Sequence, residues 1–345
     1  MNFPAPVELL NLNENQEDKV LSFQPATFDE YLGQKAIKEK LAMYVQAAKM
    51  RQEPLDHLLL FGPPGLGKTT LANVVAKELN VPIKITSAPV LERAGDLVAI
   101  LSSLTSHEIL FIDEIHRLPK NLEEILYSAM ENFCVDVIIG QGAGAKSIRL
   151  PLQHFTLIGA TTKTSLLSAP LQTRFGIIER LDFYTPEELA LIAMQNAQFL
   201  GVAMSSPASL CLGMRARGTP RIAKRILRRV RDFAQVKGLA EINEDVVGKA
   251  LSFLDIDEEG LNKLDRELLI IILKNFDGGP VGLETLAALT GEDKETLEDV
   301  VEPYLMRIGL LQKTPRGRAI PVKKIPILKQ KFLGIGGAQQ ELFFD

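Results

Sequence analysis

The chain contains no tryptophan and only two cysteines, Cys134 and Cys211. Two cysteines cannot build a disulfide framework or a cysteine zinc site. No stretch approaches the roughly 18–20 uninterrupted apolar residues of a membrane helix. The N-terminus lacks the basic-then-apolar pattern of a secretory signal. These absences predict a cytoplasmic protein whose cysteines serve packing. Net charge is scarce too, at −4, which argues against simple electrostatic attraction to nucleic acid over the whole surface. Acids are missing from two segments, however. Arg215 to Lys237 carries nine Lys or Arg against the single acid Asp232, and Pro303 to Gln340 carries eight and no acid at all. A charge run of this kind is either a solvated face or a polyanion-binding surface.

The 345 residues exceed one ordinary core, so two or three domains are expected. Residues 1–22 are acidic and polar and read as a flexible arm. Apolar positions 37, 41, 45 and 48 have helical spacing over Lys35–Lys49. Short apolar runs then alternate with helical patterns. Strands are expected at His57–Phe61, Ile83–Thr86, Glu108–Ile112 and Phe155–Ala160. Helices are expected at Thr69–Leu79, Leu97–Leu104 and Asn121–Glu131. Such alternation implies an α/β domain with parallel strands and helices on both faces. Val135–Ile139 and Ser147–Leu150 flank a Gly-rich turn and predict an inserted β-hairpin. Its residues Ile138, Ile139 and Ile148 could form an exposed finger or cap the core.

From Thr185 the pattern becomes helical, with Thr185-Pro186-Glu187-Glu188 as a helix start. Helices are expected over 186–200, 207–217, 220–237 and 243–253, forming a small second domain. A third unit follows Asp255, with helices at Arg266–Asn275, Leu283–Leu289 and Lys294–Ile308. The run Leu310–Pro321 then reads as a two-stranded wing. Three helices and a wing make a winged-helix domain.

Gly62-Pro63-Pro64-Gly65-Leu66-Gly67-Lys68-Thr69 matches G-x-x-x-x-G-K-[ST]. The pattern arises by chance in roughly 1% of chains this long, taking Gly at about 7%, and here an apolar strand precedes it and an amphipathic helix follows. Glycines let backbone N–H groups converge on phosphate oxygens while the helix N-terminus faces the same charge. Lys68 is expected on the β- and γ-phosphates of ATP and Thr69 on Mg²⁺. Ile109–Ile112 delivers Asp113 and Glu114 to the sheet edge where ligands bind. Asp113 would hold Mg²⁺ through water, and Glu114 would polarise the attacking water. His116 either orients Glu114 or packs locally. Thr162, after the next strand, would lie beside the acid pair if the two strands are neighbours. Arg174 could neutralise γ-phosphate charge from an adjacent subunit, and Arg221 could report nucleotide state from the small helical domain.

Together these segments resemble the RuvB family of bacterial Holliday-junction motors, within the AAA+ class, over about residues 23–320. The resemblance rests on DEYLGQ, LFGPPGLGKTT, LFIDEIHRL, FTLIGATT, RGTPRIAKRILRRVRDFA, GGPVGLETLAAL, EDVVEPYLMRIGLLQ and TPRGRA. It implies an AAA+ P-loop NTPase domain over 23–184, a small helical lid over 185–256, a winged-helix domain over 257–333 and a tail over 334–345. It implies a homohexameric ring on duplex DNA, recruited by RuvA and working with RuvC. Glu114, Asp113, Lys68, Arg174 and Thr162 would be catalytic. Phe23, Gln24, Gly65, Gly67, Lys68, Thr69, Thr70, Glu131, Asn132, Phe133, Tyr184 and Arg221 would surround ATP, with Thr69 and Asp113 on the metal. Lys313, Arg316 and Arg318 in the wing would contact DNA phosphates, and Ile138, Ile139 and Ile148 would dock RuvA.

The chain departs from the family pattern at Gln24, Lys163, Gln172 and Lys313, each where an arginine is usual. Two other readings compete: a clamp-loader-like AAA+ ATPase, and a non-enzymatic winged-helix regulator that uses ATP as a switch. The winged helix in place of a helical collar argues against the first, and Glu114 with Arg174 against the second.

Overall fold

The computed structural model describes residues 22–139 and 146–334. The arm, the hairpin tip and most of the tail expected from sequence lie outside the described residues. Among the described residues no helix is long and apolar enough to cross a membrane. The chain divides into two compact units, one comprising Phe23–Glu188 with Thr219–Arg221, the other containing Leu189–Gly218 and everything from Ile222 on.

The first unit is built on five parallel strands: β1 (Leu58–Phe61), β2 (Ile83–Ser87), β3 (Ile109–Asp113), β6 (Thr156–Thr161) and β7 (Ile177–Arg180). Their order is β2-β3-β6-β1-β7. Ile109–Ile112 and all of β6 are buried, as continuous apolar runs covered on both faces must be. Helices Lys35–Arg51, Lys68–Leu79, Ala94–Ser102 and Lys120–Asn132 supply the cover. Leu97, Leu101, Leu122 and Leu126 pack with Leu110, Ile112 and Leu157 in one cluster. Each such side chain contributes about 1.5–3 kcal/mol on burial. The hairpin pairs β4 (Cys134–Ile139) with β5 (Lys146–Pro151), Val137 opposite Ile148.

Sequence patterning gave no sign of β7. It is four residues long and alternates buried Ile177 and Glu179 with exposed neighbours. Glu179 is a buried acid tolerated because Lys40 reaches it at 3.0 Å.

The second unit carries helices Ser206–Arg215 and Glu244–Phe253, and most of Pro220–Val236 and of Pro186–Phe199. Thr185 starts the last of these as a reciprocal cap. Its hydroxyl accepts from the Glu188 amide at 3.2 Å, and its own amide donates to the Glu188 carboxylate at 2.9 Å. A short parallel pair, β8 (Ala203–Met204) and β9 (Glu241–Ile242), links two helical connections. Downstream, Lys263–Phe276 and Leu283–Thr290 precede a helical stretch. That stretch runs through Lys294–Thr296, a π-turn at Leu297–Val301, and Glu302–Arg307. The wing is β10 (Gln312–Thr314) antiparallel to β11 (Gly317–Ala319). A helix at Ile325–Leu333, unexpected from sequence, closes this core by burying Leu328.

Candidate nucleotide site and wing

The phosphate loop leaves β1 and turns into Lys68–Leu79. Gly67 sits at the helix N-cap with φ 96°, and no side chain caps the first turn. The amides of Lys68, Thr69 and Thr70 are therefore offered to an anion, with the helix dipole behind them. Gly62 has φ 142°, and a Cβ there would strike the Leu181 carbonyl. The Lys68 ammonium is buried, donating to the carbonyls of Gly62 at 2.8 Å and Pro63 at 3.0 Å. Burial pulls its pKa down to about 8. Asp113 and Glu114 oppose that shift and Arg221 reinforces it. These four charged groups thus share one electrostatic neighbourhood.

β6 separates β3 from β1 and pairs with both. Ile112 lies opposite Gly159, and Phe61 opposite Thr161. The adjacency required to bring a hydroxyl beside the acid pair is present. Thr162 follows β6 and is exposed. Glu114 occupies the left-handed region at φ 49°, a conformation costing about 1–3 kcal/mol in a non-glycine residue. Its carboxylate pairs with Arg117 at 3.2 Å, and its amide donates to Asp113 Oδ1 at 2.9 Å. His116 shares a 2.9 Å hydrogen bond with the buried Thr161 hydroxyl, so it pins the loop carrying Glu114 to the end of β6, next to Thr162.

Arg221 opens the helix Pro220–Val236 yet belongs to the first unit, where its amide meets the Gly65 carbonyl at 3.4 Å. Tyr184 is buried. Its hydroxyl donates to the Leu66 carbonyl at 3.2 Å, leaving Tyr31 to donate to Tyr184 across 3.0 Å. Burial pushes the Tyr184 phenol up to about 12. A Cβ on Gly33 (φ 79°) would collide with the Tyr184 ring. Gln34 clamps Asp182, its amide nitrogen donating to the carbonyl at 2.5 Å and its oxygen accepting from the amide at 3.3 Å. Nothing local in DEYLGQ announces these tasks of Tyr31, Gly33 and Gln34. They hold the segment after β7 under the phosphate loop. Phe23 is half-buried and Gln24 exposed at the start of this unit.

Arg174 and residues 131–133 form a different group of contacts. The Arg174 guanidinium pairs with Glu131 at 3.0 Å, donates to the Pro170 carbonyl at 2.6 Å and lies 4.5 Å above the Tyr127 ring. Asn132 is exposed at the end of its helix. Phe133, at φ 47°, stacks on His154 with centroids 4.1 Å apart. Gln172 uses its side-chain amide to donate to the Thr164 and Leu167 carbonyls at 2.9 and 3.1 Å.

In the wing, Arg316 occupies the exposed turn between β10 and β11, its guanidinium in no ion pair among the described residues. Arg318 is only 16% exposed, and its Nε donates to the buried Glu302 carboxylate at 2.6 Å. Lys313 bridges Glu302 at 3.0 Å and Glu298 at 3.1 Å. The acid-free run is thus countered by two acids from the preceding helix. On the hairpin, Ile148 is 43% exposed. The side chains of Ile138 and Ile139 lie outside the described residues.

The site fits a nucleoside triphosphate: uncapped helix amides, a buried ammonium held by loop carbonyls, and two acids at the end of β3, one strand removed from β1. The Thr69 hydroxyl and the Asp113 carboxylate are hard oxygen donors, few in number, as suits Mg²⁺ held partly by phosphate and water.

Comparison with known proteins agrees in all three parts of the chain. Residues 23–181 match the Holliday junction DNA helicase RuvB P-loop domain. Residues 184–257 match the RuvB AAA lid domain, and 258–329 the RuvB C-terminal winged helix domain. The solved Thermotoga maritima RuvB Holliday junction branch migration motor is 49% identical, with a TM-score of 0.80 over 89% of this chain and 98% of that one. A proline-to-glycine mutant of the same protein is 48% identical, with a TM-score of 0.81 over 89% and 99%. With matches that span every domain at nearly half identity, the chain belongs to the RuvB family of AAA+ ATPases.

Proposed function

We propose that this chain is an ATP-hydrolysing DNA motor that drives branch migration of Holliday junctions in recombination and repair. The observation that carries the reading is the 49% identity to a branch migration motor over 89% of the chain, which includes the P-loop unit and the winged helix together. The working domains are taken as 23–184, 185–256 and 257–333. The active form is taken as a homohexamer around duplex DNA, with RuvA docked on the hairpin around Ile138, Ile139 and Ile148, and RuvC joining the assembly.

In this reading Lys68 releases the Gly62 and Pro63 carbonyls to take the β- and γ-phosphates, and the amides of Lys68–Thr70 hold the remaining oxygens. Glu114 orients and polarises the attacking water, with its loop fixed by His116 on Thr161. Thr162 senses the γ-phosphate. Mg²⁺ bound by Thr69 and Asp113 would neutralise developing phosphate charge. Arg174 exchanges its Glu131 partner for the γ-phosphate of the adjoining subunit, so Glu131, Asn132 and Phe133 line the face presented to that nucleotide. A finger supplied in trans makes turnover depend on assembly. Tyr184, Phe23 and Gln24 bound the nucleoside side, and Arg221 reports whether the γ-phosphate is present. DNA is gripped without base readout, Arg316 making direct phosphate contacts while Lys313 and Arg318 act from their Glu302 and Glu298 pairs.

The test is dissociation of a synthetic four-way junction at fixed salt, with and without RuvA, by the wild-type chain and Glu114→Gln. The expected result is ATP-dependent dissociation by the wild type and ATP binding without turnover by the variant. Hydrolysis with no junction movement would transfer the reading to a clamp-loader-like ATPase.

A further inference from the structure

Arg217 lies four residues before Arg221 and has φ 53°, left-handed for a side-chain-bearing residue. Its side chain is almost fully buried, with 4% of the residue exposed. The Nε donates to the Gly260 carbonyl at 3.0 Å. The guanidinium meets the Asp265 carboxylate and lies 4.6 Å above the Tyr304 ring. Asp265 has no exposure at all. The same carboxylate accepts from the Asn262 amide at 2.8 Å, while its own amide donates to the Asn262 side chain at 2.8 Å, capping the helix Lys263–Phe276. Tyr304 in turn donates its hydroxyl to the Glu259 carbonyl. One arginine thus joins the stretch after Ser206–Arg215 to the first helix of the winged-helix domain, to the loop before it and to the helix Glu302–Arg307.

Burial draws the Arg217 guanidinium down to about 10. Replacing a buried ion pair by apolar residues of similar volume is often neutral or stabilising. The cost is understandable if the group specifies position rather than stability. The connection beyond it is short. Gly218 is left-handed at φ 71° with Arg307 packed where a Cβ would stand, and Pro220 fixes its own φ. Its far end, Thr219–Arg221, sits with the phosphate loop through the Arg221 amide and the Gly65 carbonyl.

We propose that Arg217 is a positioning residue that passes the nucleotide-dependent position of Thr219–Arg221 to the winged-helix domain, through its hydrogen bond to Gly260, its ion pair with Asp265 and its contact with the Tyr304 ring. This deepens the motor reading and rests on it.

The experiment is hydrogen exchange on the full chain without DNA, with and without a non-hydrolysable ATP analogue and Mg²⁺. In the wild type, the analogue should alter exchange at the phosphate loop and also in peptides covering 257–268. Arg217→Lys keeps the charge but loses the planar fork. It should retain the change at the phosphate loop and lose the one at 257–268. If Arg217→Lys does not fold, Tyr304→Leu, which removes the ring beneath the guanidinium, is read in its place. No nucleotide-dependent change at 257–268 in the wild type, or its survival in the variant, overturns the proposal. ATP hydrolysed per junction dissociated should rise about tenfold in Arg217→Lys, with the KM for ATP unchanged. A proportional loss of both activities would mean a merely structural role and would also overturn it. A wild type that moves no junction would sink the motor reading while leaving the exchange result to be judged alone.

Discussion

Lys68 offers a sharp test of the nucleotide site because its environment is worked out before any ligand arrives. In the free chain its ammonium is held by two carbonyls, and burial has lowered its pKa from 10.5 to about 8. A polyphosphate placed beside it favours the charged form and raises the pKa again. Binding near pH 8 should therefore take up about half a proton per nucleotide, rising towards one proton near pH 9, with almost none at pH 6.5. The apparent affinity should fall about tenfold per pH unit above 8, because only the protonated fraction binds productively. Titration calorimetry in buffers of different ionisation enthalpy measures the uptake directly, using the non-hydrolysable analogue to suppress turnover. Enthalpies that do not depend on the buffer at pH 8.5 would refute the argument, since they would mean Lys68 is already fully charged in its carbonyl cradle.

Three further expectations follow from other parts of the molecule. Glu302→Gln leaves Arg318 and Lys313 facing a neutral partner at a position 1% exposed. It should destabilise the winged-helix domain by about 3 kcal/mol; a melting curve superimposable on the wild type would contradict this. Arg316→Ala should weaken duplex binding evenly across sequences and reduce the salt slope by about one, measured by fluorescence anisotropy, whereas an unchanged slope would remove Arg316 from the DNA surface. His57 accepts from the Leu157 amide and is bonded to the Met130 carbonyl, and burial lowers its pKa below 6.5. Its neutral form is needed, so its contribution is complete above pH 6.5 and declines below that, as the unfolded chain takes up the proton first. Urea midpoints at pH 7 and 5.5 should therefore diverge less in His57→Gln than in the wild type, and equal divergence would exclude the effect.

Features legible in the sequence were those whose residues are consecutive. The phosphate loop, the Asp113–Glu114 pair and the Thr185–Glu188 cap can each be written as a motif, because one turn of backbone brings their groups together. The parallel sheet followed from strand and helix alternation, and the wing from Pro315–Arg318 between two short extended runs. Contacts between distant segments left no such trace. Nothing local in Gly33 announces that Tyr184 needs its space, and Gln34 gives no hint of Asp182. The run 303–340 reads as strongly basic, yet Glu298 and Glu302 lie outside it and counter two of its cations. The helix Ile325–Leu333 was obscured by its lysines and by Pro326, although Ile325, Leu328 and Phe332 keep helical spacing. Arg217 looked like one more cation in a basic helix region, and only the fold buries it.

The strand order also bears on synthesis. Both neighbours of β1 come later in the chain: Leu58 pairs with Ile158 and Ile177, and Phe61 with Thr161 and Arg180. At about 5–20 residues per second, a ribosome needs roughly 6–24 s to pass from Phe61 to Arg180. For most of that interval, until β6 has been made, the apolar strand Leu58–Phe61 has neither sheet partner, and the phosphate loop that follows it lacks a complete platform until β7 joins. The nascent chain should therefore be unable to hold nucleotide until β7 has emerged. A chain stalled or cleaved within the hairpin would expose two unpaired strand edges, making it a natural client for chaperones rather than a half-built ATPase.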